Sequence, residues 1–158
     1  MMQTHATPLA DAFTAAIRAA FPTERLEIRF AYNGSGDDGW FDDYIVKFLS
    51  KLPTGQDCAL IEIGGWYSDY VLSGKCQASG GGTLPMPTIE KCRIIKEIEE
   101  RHSLDHIYRE LGDILERRHP GWEINDGASG AFFFRADGTR IQEHSTNIME
   151  TIDEEDTF

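Results

Sequence analysis

Five histidines, three cysteines and 27 carboxylates are the side chains here that could do chemistry, and their spacing decides which chemistry is open to them. The run NGSGDDG, Asn33 to Gly39, places Gly34, Gly36 and Gly39 in a GxGxxG pattern directly after a strand-like stretch. Backbone amides in such a loop cradle a dinucleotide pyrophosphate. Asp37 and Asp38 would set two negative charges against that ligand, and no βαβ rhythm follows, so a phosphate site is rejected. A calcium loop fails as well. It needs Gly at its sixth position and Glu at its twelfth, and counting from Asn33 these are Asp38 and Tyr44. The stretch reads as a mobile acidic turn.

His102 and His106 stand at i, i+4, the spacing that puts two imidazoles on one helical face. No Glu follows His102 as the zinc-protease pattern requires, so the pair reads as surface histidines. Cys58, Cys76 and Cys92 contain no CxxC pair, the arrangement that brings zinc ligands together, and read as reduced thiols. Asn125 and Asp126 precede Gly127 where a strand meets a turn, and His119 and His144 could approach them in the fold. Those groups are the ingredients of a small metal-dependent hydrolase. Asn-Asp-Gly is equally a turn composition, and no nucleophile stands beside a base. No metal or cofactor is expected.

The elements that must position these groups centre on Leu111 to His144. Leu104, Ile107, Tyr108, Leu111, Ile114 and Leu115 recur at helical spacing, Arg117 and Arg118 suit the negative end of that helix, and Pro120 stops it. Trp122 and Ile124 open an alternating pattern that Phe132 to Phe134 continue, and Asp137-Gly138 forms a two-residue hairpin turn. Upstream, Pro8 to Phe21 carries a stripe of Leu9, Phe13, Ile17, Ala20 and Phe21, an amphipathic helix ended by Pro22. Leu26, Ile28, Phe30 and Tyr32 alternate with Arg25, Glu27, Arg29 and Ala31, which predicts a half-buried strand. Between Trp40 and Leu52 two patterns compete. Phe41, Tyr44, Ile45, Phe48, Leu49 and Leu52 fit a helix; Trp40, Tyr44, Val46 and Phe48 fit one face of a strand, with Asp42 as the misfit. The returning strand of a hairpin is the reading adopted.

Two β-like runs, ALIEI and WYSDYVL, flank Gly64-Gly65, and residues 73–87 read as a mobile glycine- and proline-rich loop. Thr88 caps a further helix over Ile89, Cys92, Ile95 and Ile98, and near Ser103 a second helix begins or the first one bends. The acids of residues 150–158 read as a frayed tail. The expected fold is α+β: one domain over residues 1–158, an antiparallel sheet of hairpins packed against two or three helices.

The formal charge of −12 repels phosphate backbones and anionic lipid, so direct nucleic-acid or membrane binding is disfavoured and a basic protein surface is favoured. Acidity for solubility alone is the plainer account of the same number. The apolar runs are too short to span a bilayer, and the N-terminus has no basic start followed by an apolar run, which places the chain in a cytoplasm. Aromatics beside carboxylates suggest a protein-binding surface, for which Asp37, Asp38, Trp40, Asp42 and Asp43 are candidates, with Glu154, Glu155 and Asp156 as a flexible acidic arm.

The run HPGWEINDGASGAFFF, His119 to Phe134, with the strand, GSGD turn and strand over Phe30 to Val46, resembles a small domain family of unknown function carried on proteobacterial plasmids and phages. The resemblance covers about half the chain, and Cys58 to Pro87 lies outside it. It implies no catalytic residue. What it implies is the context of a mobile genetic element, whose small acidic proteins often inhibit host defence. The expected function is therefore a non-catalytic binding protein that occupies the basic nucleic-acid surface of a CRISPR or restriction complex. A metal-dependent hydrolase and an accessory or regulatory protein of the element are the alternatives.

Overall fold

The alternation at Leu26, Ile28, Phe30 and Tyr32 builds the middle of the molecule: all four side chains are buried, while Arg25, Glu27, Arg29 and Ala31 point to the other side. The computed structural model describes residues 6–35, 38–51, 53–73, 86–120, 128–147 and 151–158. Its elements in chain order are α1 (Pro8–Ala20), β1 (Arg25–Ser35), β2 (Asp38–Lys51), β3 (Asp57–Gly64), α2 (Gly65–Leu72), α3 (Met86–Glu100), α4 (Leu104–Arg118), β4 (Ala128–Phe134), β5 (Arg140–Asn147) and β6 (Thr151–Thr157). Six strands form one sheet in the order β3-β2-β1-β4-β5-β6, every neighbouring pair antiparallel. Two meanders thus meet where β1 pairs with β4, and the α+β expectation holds with four helices rather than two or three.

Helices cover one face of the sheet. Phe13 of α1 lies 6.1 Å from Phe30 and 5.2 Å from Tyr44, and Tyr108 of α4 stacks on Phe41 at 5.2 Å. Each helix is held at its ends by polar groups as well as by its apolar stripe. Pro8 starts α1, and Glu110 of α4 accepts from the amides of Leu9 (3.0 Å) and Ala10 (2.9 Å), placing a carboxylate at the positive end of α1. Arg18 ends the same helix by donating to the carbonyls of Leu26, Phe134 and Arg135, which stitches α1 to β1 and β4. Ser103 caps α4 through its side chain, so a second helix does begin there. Thr88 is not a cap: α3 starts earlier, at Met86, and Thr88 lies inside it.

The hairpin reading of Trp40–Leu52 holds as far as Lys51, Leu52 lying outside the described residues, and its misfit has a cause. Phe30 pairs with Tyr44 and Tyr32 with Phe41, so Ala31 alone faces both Asp42 and Asp43. This β-bulge resets the two-residue alternation. Phe41 turns inward with Tyr44, Val46 and Phe48, and Trp40, assigned inward from the sequence, stays 47% exposed. Of the stretch Asn33 to Gly39 expected to be a mobile acidic turn, β1 takes the residues up to Ser35 and β2 those from Asp38, its register partner, while Gly36 and Asp37 lie outside the described residues. The turn at Asp137-Gly138 is also longer than two residues. Arg135 N donates to Thr139 O and Gly138 N to Arg135 O, leaving a three-residue loop in which Gly138 takes a φ of +88° and Asp137 accepts from Thr139 N.

Two expectations fail outright. ALIEI lies in β3, but WYSDYVL is α2, because Gly65, Ser68 and Val71 form a buried stripe at helical spacing against the neighbouring strands and α3. The terminal acids do not fray: residues 151–157 pair with β5 as an edge strand, and Phe158 is 3% exposed, ring-to-edge against Phe132 (4.9 Å) and Phe134 (5.4 Å). The loop expected at 73–87 falls mostly outside the described residues, as do Trp122 and Ile124. Among the described residues, no helix is long and apolar enough to cross a membrane.

Candidate functional site

Two constellations gather chemistry-bearing side chains, one at each side of the sheet. The first begins at the bulge. Doubling a residue opposite Ala31 frees Asp42 to solvent and turns Asp43 half inward, where its Oδ2 accepts from the backbone amide of Trp66 at 2.8 Å. Asp43 thereby caps α2 from another element, and Gly64-Gly65 is the sequence that permits the approach. A Cβ on Gly64 would lie 2.6 Å from Asp43 Oδ2, and one on Gly65 would lie 2.5 Å from Glu99 Oε1 and 2.9 Å from Asp43 Oδ1. Burial, with the charge of Glu99 behind it, holds the Asp43 carboxyl above the ordinary carboxylate range, against the pull of the Trp66 hydrogen bond and Lys96. Burial and the same two carboxylates push the Tyr44 phenol far upward, so it keeps its proton. Lys96 spans the group, 2.5 Å from Glu99 and 3.0 Å from Asp69.

Outward from this group α2 presents Trp66, 71% exposed, stacked on Tyr70 at 5.5 Å with planes 6° apart. Sequence reasoning missed these two rings because it took their segment for a strand. The signal available was the paired glycine followed by small residues at every third position. Of the residues it did single out, Asp42 and Asp43 lie here, while the Trp40 ring meets Phe41 and the Gly112 position of α4 instead. Asp38 opens β2, and Asp37 lies outside the described residues.

The terminal acids sit elsewhere. β6 is four strand steps from β2, roughly 19 Å at about 4.8 Å per step. Its register sets Glu154 opposite His144, Glu155 opposite Glu143 and Asp156 opposite Gln142. Burial, then the facing Glu155, raises the Glu143 pKa. The two acidic runs read from the sequence as one binding function are therefore separate places on the molecule.

The second constellation lies under β5. Arg118 donates to Gln142 Oε1 (2.9 Å), which orients the amide so that Nε2 donates to Tyr32 Oη (3.1 Å). The Tyr32 hydroxyl in turn lies 3.1 Å from Glu143 O and 2.7 Å from His144 Nδ1. Its one proton can serve either acceptor, and the His144 tautomer follows from that choice. In both cases His144 Nε2 is buried without a hydrogen-bond partner. His119, at the end of α4, stacks on His144 with ring centroids 3.6 Å apart and planes 9° apart. Burial, then the neighbouring His119, presses the His144 pKa down to about 4. Gly130 makes room for the whole arrangement, since a Cβ there would overlap Glu143 O and lie 2.5 Å from Tyr32 Oη.

The sequence expectation that His119 and His144 approach Asn125 and Asp126 falls outside the described residues, since both of the latter do; the stacking of the two histidines on each other was not anticipated. His102 and His106 do not share a helix. α3 ends at Glu100 and α4 starts at Leu104, and His102 bonds Ile98 O (2.8 Å) and meets Phe13 edge-on at 5.6 Å. Cys92 is buried, Cys58 is exposed and neither forms a disulfide. Among the described residues no three His, Cys, Asp or Glu side chains are grouped to hold a metal ion. No family model, curated protein or solved structure matches this chain. The two constellations therefore stand on their geometry. The bulge and α2 expose a carboxylate and rings to solvent, and the histidine stack holds a neutral, buried imidazole.

Proposed function

We propose that this chain is an acidic, non-catalytic binding protein that inhibits a bacterial defence complex, of the CRISPR or restriction kind, by occupying its basic nucleic-acid-binding surface. The observation that carries the reading is the hydrogen bond from Trp66 N to Asp43 Oδ2. It sets the acidic bulge of β2 beside the exposed aromatics of α2, so that carboxylate charge and apolar area are offered together. The use of cations inside the fold supports it further. Arg18 and Arg118 spend their donors on backbone carbonyls and Gln142, while Lys47 and Lys96 are held by neighbouring carboxylates. A protein of net charge −12 is steered toward cationic surfaces at long range. The mobile-element context comes from the resemblance of His119 to Phe134 and rests on that resemblance alone.

The test is protection of a targeted plasmid in cells carrying an active CRISPR or restriction system. The wild-type chain is expected to raise plasmid survival. A variant with Asp37, Asp38 and Asp42 changed to Asn, and Glu154, Glu155 and Asp156 changed to their amides, is expected to lose that effect. Undiminished protection by the variant overturns the reading.

The stacked His119–His144 pair favours a second reading, a small metal-dependent hydrolase. On that reading metal analysis of the purified chain finds a bound ion that His144→Gln removes. A metal-free chain with plasmid protection intact refutes it.

A further inference from the structure

The most exposed large apolar side chain described is Trp66, and a surface that attracted cations by charge alone would not require a tryptophan there. Charge alone would be served by carboxylates. An indole with 71% of its surface in water is a group whose burial is deferred until something covers it. Its position is also fixed in advance. Trp66 is the second residue of α2, its amide is tied to Asp43, and the opposite stripe of that helix is packed at Ser68 (0% exposed) and Val71 (6%). Tyr70, one turn on, lies parallel to the indole at 5.5 Å, so the two rings form a stepped platform on a helix that cannot swing away.

Asp69 is the third part. It stands between the two rings in sequence, on the same exposed side of α2, with its side chain 61% exposed. Lys96 approaches both its oxygens, at 3.0 and 3.1 Å. Each carboxylate oxygen accepts more than one hydrogen bond, so lone pairs remain for an incoming donor. An aromatic face beside a carboxylate, on a chain of net charge −12, complements one side-chain chemistry above others. A guanidinium is planar and weakly hydrated. It stacks on an indole while its edge donates to a carboxylate, which the compact, strongly hydrated ammonium of lysine does poorly. A nucleobase would also stack, but the phosphates that come with it are repelled by the surrounding charge.

We propose that Trp66, Tyr70 and Asp69 form an anchoring site for an arginine side chain of a basic partner protein. The inference rests on the acidic-binding reading and sharpens it: the partner is recognised by arginine, not by positive charge in general.

Two labelled peptides of equal length and charge, oligo-arginine and oligo-lysine, test it by fluorescence anisotropy with the full chain at low salt. The arginine peptide is expected to bind more tightly. Trp66→Ala should weaken it by about tenfold and leave the lysine peptide within about twofold, since only the guanidinium uses the ring. Trp66→Phe, which keeps a ring, should recover part of the loss. Equal affinity for the two peptides, both salt-sensitive, overturns the arginine site and leaves the acidic-binding reading standing. No affinity for either peptide overturns both. A single-stranded oligonucleotide that binds wild type and not Trp66→Ala assigns the platform to bases and overturns the proposal. Sedimentation showing a dimer that Trp66→Ala dissociates overturns it in favour of a second copy.

Discussion

Replacing His144 with Gln should flatten the loss of stability of this protein on acidification. His144 is 3% exposed, stacked on His119, and hydrogen-bonded through Nδ1 to a Tyr32 hydroxyl that Gln142 and, behind it, Arg118 hold in place. A charge there is disfavoured, so the folded chain titrates His144 near about 4 where the free imidazole titrates near 6.5. The sign follows directly. Above the unfolded value neither state is protonated and the site contributes nothing. As pH falls between the two values the unfolded chain takes up a proton that the folded chain refuses, and folding weakens by about 1.4 kcal/mol per pH unit. The accumulated cost is about 3 kcal/mol by the lower value, a large part of the stability of an ordinary domain. Asp43 and Glu143, whose folded-state pKa values are raised, act in the opposite sense, losing their contribution as pH rises through those values. They are present in both proteins and cancel in the difference. Urea denaturation followed by tryptophan fluorescence, from about pH 7 to about pH 4, gives the unfolding free energy of each. The gap between wild type and His144→Gln should shift by about 3 kcal/mol over that window in favour of the variant. A gap that does not change with pH would refute the claim that His144 is held neutral by its surroundings.

Two other substitutions probe the same region. Gly130→Ala should cost about 3 kcal/mol, because the added methyl meets a backbone carbonyl and a tyrosine ring held by several hydrogen bonds; Tyr32→Phe should not rescue it, since Glu143 O remains in the way, and a near-wild-type melting temperature for Gly130→Ala would contradict the packing described. Phe158→Ala should cost about 3 kcal/mol as well, whereas Glu155→Gln, at an exposed position, should cost little; equal and negligible effects in thermal melts would mean the chain end frays after all.

The parts of this fold legible in the sequence are those where local pattern and tertiary packing agree. β1 alternates without a break and α4 carries a helical stripe with cations at its end, so both read correctly. The bulge in β2 was visible only as an unexplained Asp42, because alternation cannot report an extra residue until the partner strand is known. α2 was misread for a related reason. Trp66, Tyr67, Tyr70 and Val71 favour strands as free residues, and the buried Gly65, Ser68 and Val71 become a helical stripe only against α3. The histidine constellation is assembled from β1, β5 and the end of α4, and no spacing along the chain connects Tyr32, His119 and His144. What the sequence did offer was that His119 and His144 could approach Asn125 and Asp126, not that the two rings would stack on each other.

β6 closes one margin of the sheet with Asp153, Glu154, Glu155 and Asp156 in consecutive positions. An open sheet margin invites the strand of another molecule to add sideways, and four successive anions make that addition electrostatically unwelcome. Without those charges the barrier is removed while the outer margin of β6 remains. A chain with these four acids changed to their amides should polymerise edge to edge, so its last eight residues govern its colloidal behaviour.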